Sequence, residues 1–414
     1  MKSARRGGLL PYASVLAAVV AVLSMGAVSA YAAAANTVVA TVSVGSNPNG
    51  VAVTPSGSYA YVVAGTNAVQ VIDTSTNTVT STISGFSSPV GVAITPDGQY
   101  AYVTNYGGFG AGNTVSRIRI SDNTIIGSSI VTGSGPTAIA VTPDGAYVYV
   151  SNTGGNSVSV IQTSTNTVIA TVPGLHAPKG IAITPNGNYV YVADFNFDKV
   201  QVIATSSNTV AATISLAAGA GPYGITVTPN GQYVYVANDL ANTVSVIATA
   251  TNTVVGSPIT TSSVPLGIAA TPDGQYVYVA LNGQSSVGVI STSTNTLVST
   301  VAAVGTSPFA IAISSNGQYA YVTNQGSSSV AVINLLATSS GSNIVLPPDI
   351  MQSVALPASG NCIGIDDKDL NWAGATSGGW TASWAQWMNA GKGGAVCNRF
   401  LAFNPTASNW FTRK

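Results

Sequence analysis

A segment of nine residues occurs seven times, with variations, along this chain of 414 residues. Its first two copies, residues 54–62 and 95–103, read TPSGSYAYV and TPDGQYAYV. The turn glycine of each copy marks the register of the repeat, at Gly57, Gly98, Gly145, Gly187, Gly231, Gly274 and Gly317. Because the interval is 41 to 47 residues, each copy belongs to one supersecondary unit that buries its apolar faces against the next unit. This period constrains the fold more than any other feature of the chain.

The fourth unit illustrates the strands within each repeat. Runs rich in Val, Ile, Tyr and Thr predict strands over residues 180–184, 189–192, 199–203 and 209–214. The first turn, Pro185-Asn186-Gly187, suits a tight connection, because Asn bonds its own backbone and Gly accepts a positive φ. Four antiparallel strands in about 43 residues are the size of a propeller blade. The sequence therefore predicts an all-β fold, a seven-bladed β-propeller of four-stranded antiparallel blades over residues 36–336.

The two ends of the repeat array complement each other. A fourth-strand sequence at residues 36–42 precedes every first strand, whereas the last unit ends near residue 334 without a fourth strand. We therefore expect residues 36–42 to lie beside residues 330–334 as the outer strand of the seventh blade. Such a closure pairs two otherwise open sheet edges.

The N-terminal segment predicts export. Lys2, Arg5 and Arg6 precede an apolar run from residue 9 to about residue 28, which small residues follow. This is the layout of a signal peptide, assigned to residues 1–30. The run of about 20 apolar residues is also long enough for a retained membrane anchor. We expect a secreted, periplasmic or cell-surface protein with no other attachment to a membrane.

Charge and composition argue against several classes of function. The chain has 12 basic and 12 acidic residues, of which all the acids are Asp, and a single His. A neutral balance provides no basic patch for nucleic acid. The absence of Glu and the lone His leave metal sites and acid–base catalysis short of their usual residues. We therefore predict no cofactor, no metal site and no catalytic residue.

The tetrapeptide Tyr-Val-Thr-Asn occurs at residues 102–105 and again at residues 321–324. With the surrounding P-x-G-[VI]-A-[VI]-T-P-[DN]-G-x-Y-V-Y-V-x-N pattern, residues 36–336 resemble the YVTN β-propeller repeat family. This resemblance covers roughly three quarters of the chain. It implies a propeller fold, but not one function, since relatives include surface-layer proteins, lactonases and a lyase.

One face of the predicted ring carries most of the variation between units. We name it the top face; it holds the loops that join successive units and those between second and third strands. The residues after the leading Pro of each first strand should ring the channel mouth: Asn49, Val90, Thr137, Lys179, Tyr223, Leu266 and Phe309. The predicted ligand site combines mouth residues with charged loop residues, namely Lys179, Tyr223, Phe309, His176, Asp194, Asp198 and Asp239. The alternative is that the charges are merely solvated loop residues.

The opposite, bottom face carries the Thr-Pro-Asp-Gly turns with Asp97, Asp144 and Asp273. Other copies have Asn or Ser at the Asp position. We therefore interpret these aspartates as turn residues and not as ligands of a cation.

The C-terminal part differs from the repeats. Residues 337–349 read as a linker, and residues 350–414 hold all five Trp and both Cys. In an exported protein, Cys362 and Cys397 most simply form one disulfide. Trp380, Trp384 and Trp387 fall at i, i+4 and i+7, the spacing of one helix face. They predict either the core of a small domain or an aromatic platform for sugars or cell-wall polymer.

The favoured function is an exported, non-enzymatic propeller. We expect it to bind or scaffold an envelope or extracellular partner, a protein or a glycan, through its top face, its Trp-rich tail or both. The alternative is a lactonase-like or lyase-like enzyme acting at the central channel, although such chemistry needs acidic residues and His in the channel.

Overall fold

The computed structural model describes residues 36–335, 381–383 and 402–404. The chain divides into two units, Met1–Leu336 and Ala337–Lys414. In the described ranges, no helix is long and apolar enough to cross a membrane.

The first unit is a ring of seven antiparallel sheets, the blades, which confirms the predicted seven-bladed all-β fold. Its first strand is β1 (Thr37–Ser43). Blade 1 contains β2 (Val51–Val53), β3 (Tyr59–Ala64), β4 (Ala68–Asp73) and β5 (Thr78–Ser84). Blade 2 contains β6 (Pro89–Ile94), β7 (Tyr100–Asn105), β8 (Thr114–Arg119), β9 (Thr124–Ile125) and β10 (Ile130–Val131). Blade 3 contains β11 (Pro136–Val141), β12 (Tyr147–Asn152), β13 (Ser157–Gln162) and β14 (Thr167–Pro173).

The remaining four blades follow in chain order. Blade 4 contains β15 (Pro178–Ile183), β16 (Tyr189–Asp194), β17 (Lys199–Ala204) and β18 (Thr209–Ser215). Blade 5 contains β19 (Pro222–Val227), β20 (Tyr233–Asn238), β21 (Thr243–Ala248), β22 (Thr253–Val254) and β23 (Ile259–Thr260). Blade 6 contains β24 (Pro265–Ala270), β25 (Tyr276–Leu281), β26 (Ser286–Ser291) and β27 (Thr296–Val301). Blade 7 contains β28 (Pro308–Ile313), β29 (Tyr319–Asn324) and β30 (Ser329–Asn334).

Blade 7 takes its outermost strand from the start of the repeat array. Its order is β1-β30-β29-β28, and β1 runs antiparallel to β30, with Thr37 opposite Asn334 and Ser43 opposite Ser329. The register shifts by one residue between Val38 and Ala40. Blade 7 therefore contains both the first and the last strand of the repeat array that the structure describes.

The outer strand is interrupted in blades 2 and 5. In blade 2, β9 and β10 both pair with β8, and in blade 5, β22 and β23 both pair with β21. Gly127 and Gly256 lie in these interruptions with φ of 71° and 65°. A residue in the left-handed region breaks the regular ladder at that point.

The blades are held together by tyrosines of their second strands. These rings are at most 1% exposed: Tyr61, Tyr102, Tyr149, Tyr191, Tyr235, Tyr278 and Tyr321. Burying such a side chain stabilises a fold by about 1.5–3 kcal/mol. Six of the hydroxyls donate to an Asn before the outer strand of the next blade, through the pairs Tyr61–Asn123, Tyr102–Asn166, Tyr149–Asn208, Tyr191–Asn252, Tyr235–Asn295 and Tyr278–Asn36. The aromatic positions thus form the core between blades and also bond one blade to the next.

The second unit shows one short antiparallel pair, β31 (Thr381–Ser383) with β32 (Ala402–Asn404). The prediction of one helix face through Trp380, Trp384 and Trp387 is therefore wrong, because the residues between the first two are extended. Thr and Ser are poor helix formers, which agrees with this local result. The three Trp side chains, Cys362 and Cys397 lie outside the described residues.

Candidate functional site: a charged aromatic cluster at the channel mouth

The mouth of the channel is built by close contact between first strands. The first strands of successive blades lie against one another around the ring. A Cβ added to Gly180 would lie 2.4 Å from the carbonyl oxygen of Tyr223, and one added to Gly224 would lie 2.0 Å from that of Leu266. Only glycine fits at such a separation. The Gly of the P-x-G pattern therefore lets neighbouring blades bring their mouth residues together.

Hydroxyl groups of the preceding blade hold the carbonyl groups of several mouth residues. Ser151 Oγ donates to the carbonyl oxygen of Lys179 at 2.7 Å. Thr323 Oγ1 donates to that of Asn49, also at 2.7 Å, across the junction of blades 7 and 1. The backbone at the mouth is thus anchored, which leaves the side chains to differ from blade to blade.

Five side chains, which we name the mouth cluster, converge there: Lys179, Phe195, Tyr223, Asp239 and Phe309. Lys179 Nζ lies 5.7 Å from the ring centroid of Phe195 and 5.6 Å from that of Tyr223. The Tyr223 ring meets Phe195 and Phe309 edge to face, at centroid distances of 6.4 Å and 6.0 Å. These distances suit cation–π and aromatic pairing. The structure therefore brings together the predicted Lys179, Tyr223, Phe309 and Asp239.

The two charges of the mouth cluster are partly desolvated. Burial lowers the pKa of Lys179, and the Asp239 carboxylate opposes that shift. Burial likewise raises the pKa of Asp239, against the effect of Lys179. Each group thus affects the pKa of the other. The two nevertheless form no ion pair in the described ranges, where the only ion pair joins Arg119 and Asp122.

Tyr223 also faces a residue from a distant blade. Burial raises its pKa to about 12, with smaller contributions from Asp239 and from Tyr106 of blade 2. Blades 2 and 5 are three apart, the greatest separation in a ring of seven. Tyr106 begins a glycine-rich loop, and a Cβ on Gly110 would lie 2.9 Å from its hydroxyl. The Tyr106 ring thus packs against its own loop, from which it contributes to the electrostatics of Tyr223.

Asp194, which was predicted as a ligand residue, is buried and hydrogen-bonded within the top loops. It is 0% exposed, accepts the His176 backbone N–H at 2.6 Å and accepts from Gln201 Nε2 at 3.0 Å. It ends its strand, where other blades have Asn105, Asn152, Asn238 and Asn324. These buried side chains hold the top loops, so Asp194 has a structural role there, and its role as a ligand residue stays a prediction.

Asp198 and His176 are also engaged within the loops of blade 4. The Asp198 carboxylate accepts the backbone N–H groups of Gly219 and Gly221, at 2.7 Å and 2.8 Å. The His176 ring stacks on Phe197, with centroids 3.7 Å apart, and Lys199 Nζ lies 5.2 Å from the Phe197 centroid. Neither His176 nor Asp198 contacts the mouth cluster among the described hydrogen bonds, ion pairs and ring contacts.

The bottom turns agree with turn chemistry. Asp97 Oδ1 accepts from Thr95 Oγ1 at 2.5 Å and from the Gln99 backbone N–H at 3.0 Å. Asp144 and Asp273 repeat these two bonds in their own turns. A cavity of about 180 Å³ lies beside Asp97 and Asp144, below the ~300 Å³ at which small-molecule sites begin. Among the described residues, no group of three His, Cys, Asp or Glu is placed to hold a metal ion.

Sequence reasoning missed Phe195 as a member of the site. Phe195 directly follows Asp194 in a short 3-10 turn (Phe195–Phe197). Its position in the same top loop as the predicted Asp194 could have identified it from the sequence.

The fold and the mouth cluster define a seven-bladed β-propeller with a partly desolvated polar site at one end of its channel. The chain belongs to the family described as "Lactonase, 7-bladed beta-propeller", whose model matches residues 119–211 and 181–342. Among solved structures, hydrazine synthase from Kuenenia stuttgartiensis is similar, with a TM-score of 0.65 and 22% identity over 70% of this chain and 96% of that chain. At this identity the likeness shows the fold alone. No curated protein matches the chain.

Proposed function

We propose that this chain is an exported propeller that binds an envelope or extracellular partner at its mouth cluster, without transforming it. The observation that carries the proposal is a lysine and an aspartate, both half-buried, set among three aromatic rings on the variable face. Ligand sites combine a few placed polar groups with an apolar surround. The bottom face, by contrast, repeats the same internally bonded turn.

Other parts of the chain support this role. The basic, apolar and small-residue order of residues 1–30 supports export. The repeat motif supports assigning the chain more specifically to the YVTN-type propellers. The pairing of β1 with β30 supports a closed, rigid platform, since it covers the edge of blade 7. We also propose that Cys362 and Cys397 form a disulfide. After the unreduced, exported protein is treated with an alkylating reagent, its intact mass should show no alkylated thiol.

A second candidate function is lactone hydrolysis, which the family description favours. The mouth cluster contains one group that suits it, since the lowered pKa of Lys179 increases the fraction of free amine. However, the lone His stacks on Phe197, and Asp194 and Asp198 hold loop backbone. Binding is therefore the better-supported function.

The test is a binding array that carries neutral oligosaccharides, acidic oligosaccharides and peptides, probed with the full chain. The double variant Lys179→Ala with Tyr223→Ala should lose the signal while its circular dichroism spectrum stays unchanged. The matched control, Asp97→Asn with Asp144→Asn on the bottom face, should bind as the parent does.

Two results would contradict the proposal. A chain ending at residue 341 that loses binding, while the Lys179/Tyr223 double variant keeps it, would place the site in the Trp-rich tail. Saturable hydrolysis of δ-gluconolactone that disappears in the double variant would favour the lactonase alternative.

A further inference from the structure

Lys179 and Asp239 carry opposite charges, and neither side chain has a hydrogen-bond partner among the described residues. In the part of the chain that the structure describes, the Lys179 ammonium contacts only the rings of Phe195 and Tyr223. Within the described ranges the Asp239 carboxylate accepts no hydrogen bond, although its backbone N–H donates to Gly221 O at 2.9 Å. Both residues are half-buried. Partly desolvated charges without hydrogen-bond partners raise the free energy of the protein. This site therefore favours a ligand that forms hydrogen bonds with both charged groups.

The two charges set the chemistry of that ligand. A lysine ammonium only donates hydrogen bonds and an ionised aspartate only accepts them. A hydroxyl group meets both demands, because it accepts from the ammonium and donates to the carboxylate. A carboxylate ligand would satisfy Lys179 and face the negative charge of Asp239, whereas an ammonium ligand would do the reverse.

The aromatic members of the mouth cluster add an apolar surface beside the charges. Phe195, Tyr223 and Phe309 are half-buried rings in one continuous series of edge-to-face contacts. A sugar combines these two features, because it carries hydroxyl groups on a ring whose faces are formed by apolar C–H groups. Resting on the proposed function, we propose that the mouth cluster binds a neutral saccharide chain, with its hydroxyls between Lys179 and Asp239 and its C–H faces on the rings.

Exposed apolar side chains beside the cluster favour a chain over a single sugar. Phe197, in the same turn as Phe195, is 46% exposed, and Leu240, directly after Asp239, is 63% exposed. An extended ligand can cover these residues as well, and the added apolar contact contributes affinity that one ring cannot provide.

Isothermal titration calorimetry of the full chain tests this inference with cellohexaose, mannohexaose and N-acetylchitohexaose as neutral probes. Trigalacturonate serves as the acidic probe, and the zwitterionic tripeptide trialanine as the peptide probe. We expect at least one neutral hexasaccharide to bind more tightly than the acidic and peptide probes. Lys179→Met and Asp239→Asn should each weaken that binding about tenfold or more, as for the loss of a hydrogen bond to a charged group.

Arg117→Met is the matched control, since Arg117 also lies over an aromatic ring, that of Tyr100, but in blade 2 and outside the cluster. Its affinity should stay within about twofold of the parent, and thermal unfolding should show that all three variants are folded. Failure of every neutral probe, or an equal loss in Arg117→Met, would overturn the inference. Lys179-dependent binding of trigalacturonate or trialanine alone would overturn it too, while leaving a top-face binding function in place.

Discussion

At the scale of single residues, the hydrogen bonds between tyrosine and asparagine explain why the repeat keeps these residue types. Each Asn of this set has a positive φ, near 52–59°, at the turn before an outer strand. Asn tolerates this conformation better than most residues, and its side-chain oxygen then accepts the buried tyrosine hydroxyl. Tyr321 departs from the pattern, because Asn77 Oδ1, the equivalent acceptor, is buried without a partner among the described residues.

Tyr191→Phe tests this bond in isolation. The change removes the donor to Asn252 Oδ1 at 2.6 Å, so we expect the free energy of unfolding to fall by about 1–3 kcal/mol. Tyr189→Phe is the control, because that side chain lies in the same strand, is 42% exposed and makes no hydrogen bond to any described residue. Urea unfolding that shows equal losses for the two variants would refute the role given to the Tyr191 hydroxyl.

The residues of the candidate site show where sequence reasoning succeeds and fails. Lys179, Tyr223 and Phe309 were predictable, because the repeat places one residue of each blade at the mouth. Asp194 was not, because the pattern of charges does not reveal that its position is buried. The charge of a residue is evident in a sequence, whereas its burial at a loop depends on how that loop folds back.

At the scale of the strand, glycines determine how closely the blades approach. A Cβ at Gly224 would lie 2.0 Å from a backbone oxygen of β24, so neither side can yield by moving a flexible side chain. The repeat motif therefore encodes contact between blades as well as the turns within each blade.

Gly224→Ala should destabilise the propeller by about 3 kcal/mol or more, through forced separation of blades 5 and 6. Gly108→Ala is the matched control, because a Cβ there meets no atom within 4 Å. The melting temperatures of the two variants provide the measurement. A Gly224→Ala protein that melts with the parent would contradict the close approach of β19 and β24.

The strand β1 gives a second prediction at this scale. Deleting residues 36–42 removes the partner of β30 and the acceptor of the Tyr278 hydroxyl, Asn36 Oδ1. We expect a lower melting temperature and aggregation through the bared edge. In the control Val39→Asp, the changed side chain lies in the same strand but is 41% exposed, so this variant should keep the elution volume and the stability of the parent. Size-exclusion chromatography of the deletion showing an unchanged monomer of parental stability would refute this.

At the scale of the whole molecule, the buried tyrosines predict how stability depends on pH. Burial raises the pKa of five of them from 10.0 to about 12, namely Tyr61, Tyr149, Tyr191, Tyr235 and Tyr321. Below pH 10 these phenols are protonated in both the folded and the unfolded state, so their contribution is constant. Above it the unfolded chain ionises first, and folding loses free energy as the pH rises.

The free energy of unfolding should therefore decrease steeply between about pH 10 and 12, and Tyr191→Phe should decrease less steeply than the parent. Urea unfolding at a series of pH values measures both slopes. A free energy that is constant across this interval would contradict the burial of the tyrosines.

The whole fold was more predictable than the site, for a physical reason. Seven copies of one unit repeat the same information, so that strands, turns and ring size all follow from a single pattern. The mouth cluster instead depends on contacts between blades 4, 5 and 7, which occur once. The tail has no repeat. There the spacing of the Trp residues predicted a helix, whereas Thr381–Ser383 form a strand.

The central claim is that ligands bind at the top face. Amide hydrogen exchange of the full chain, with and without the probe that binds most tightly on the array, tests it most directly. We predict slower exchange in peptides covering residues 178–199, 221–240 and 308–310, and unchanged exchange in the bottom turns at residues 95–99 and 142–146. Protection confined to those bottom turns, or to residues beyond 341, would contradict the account.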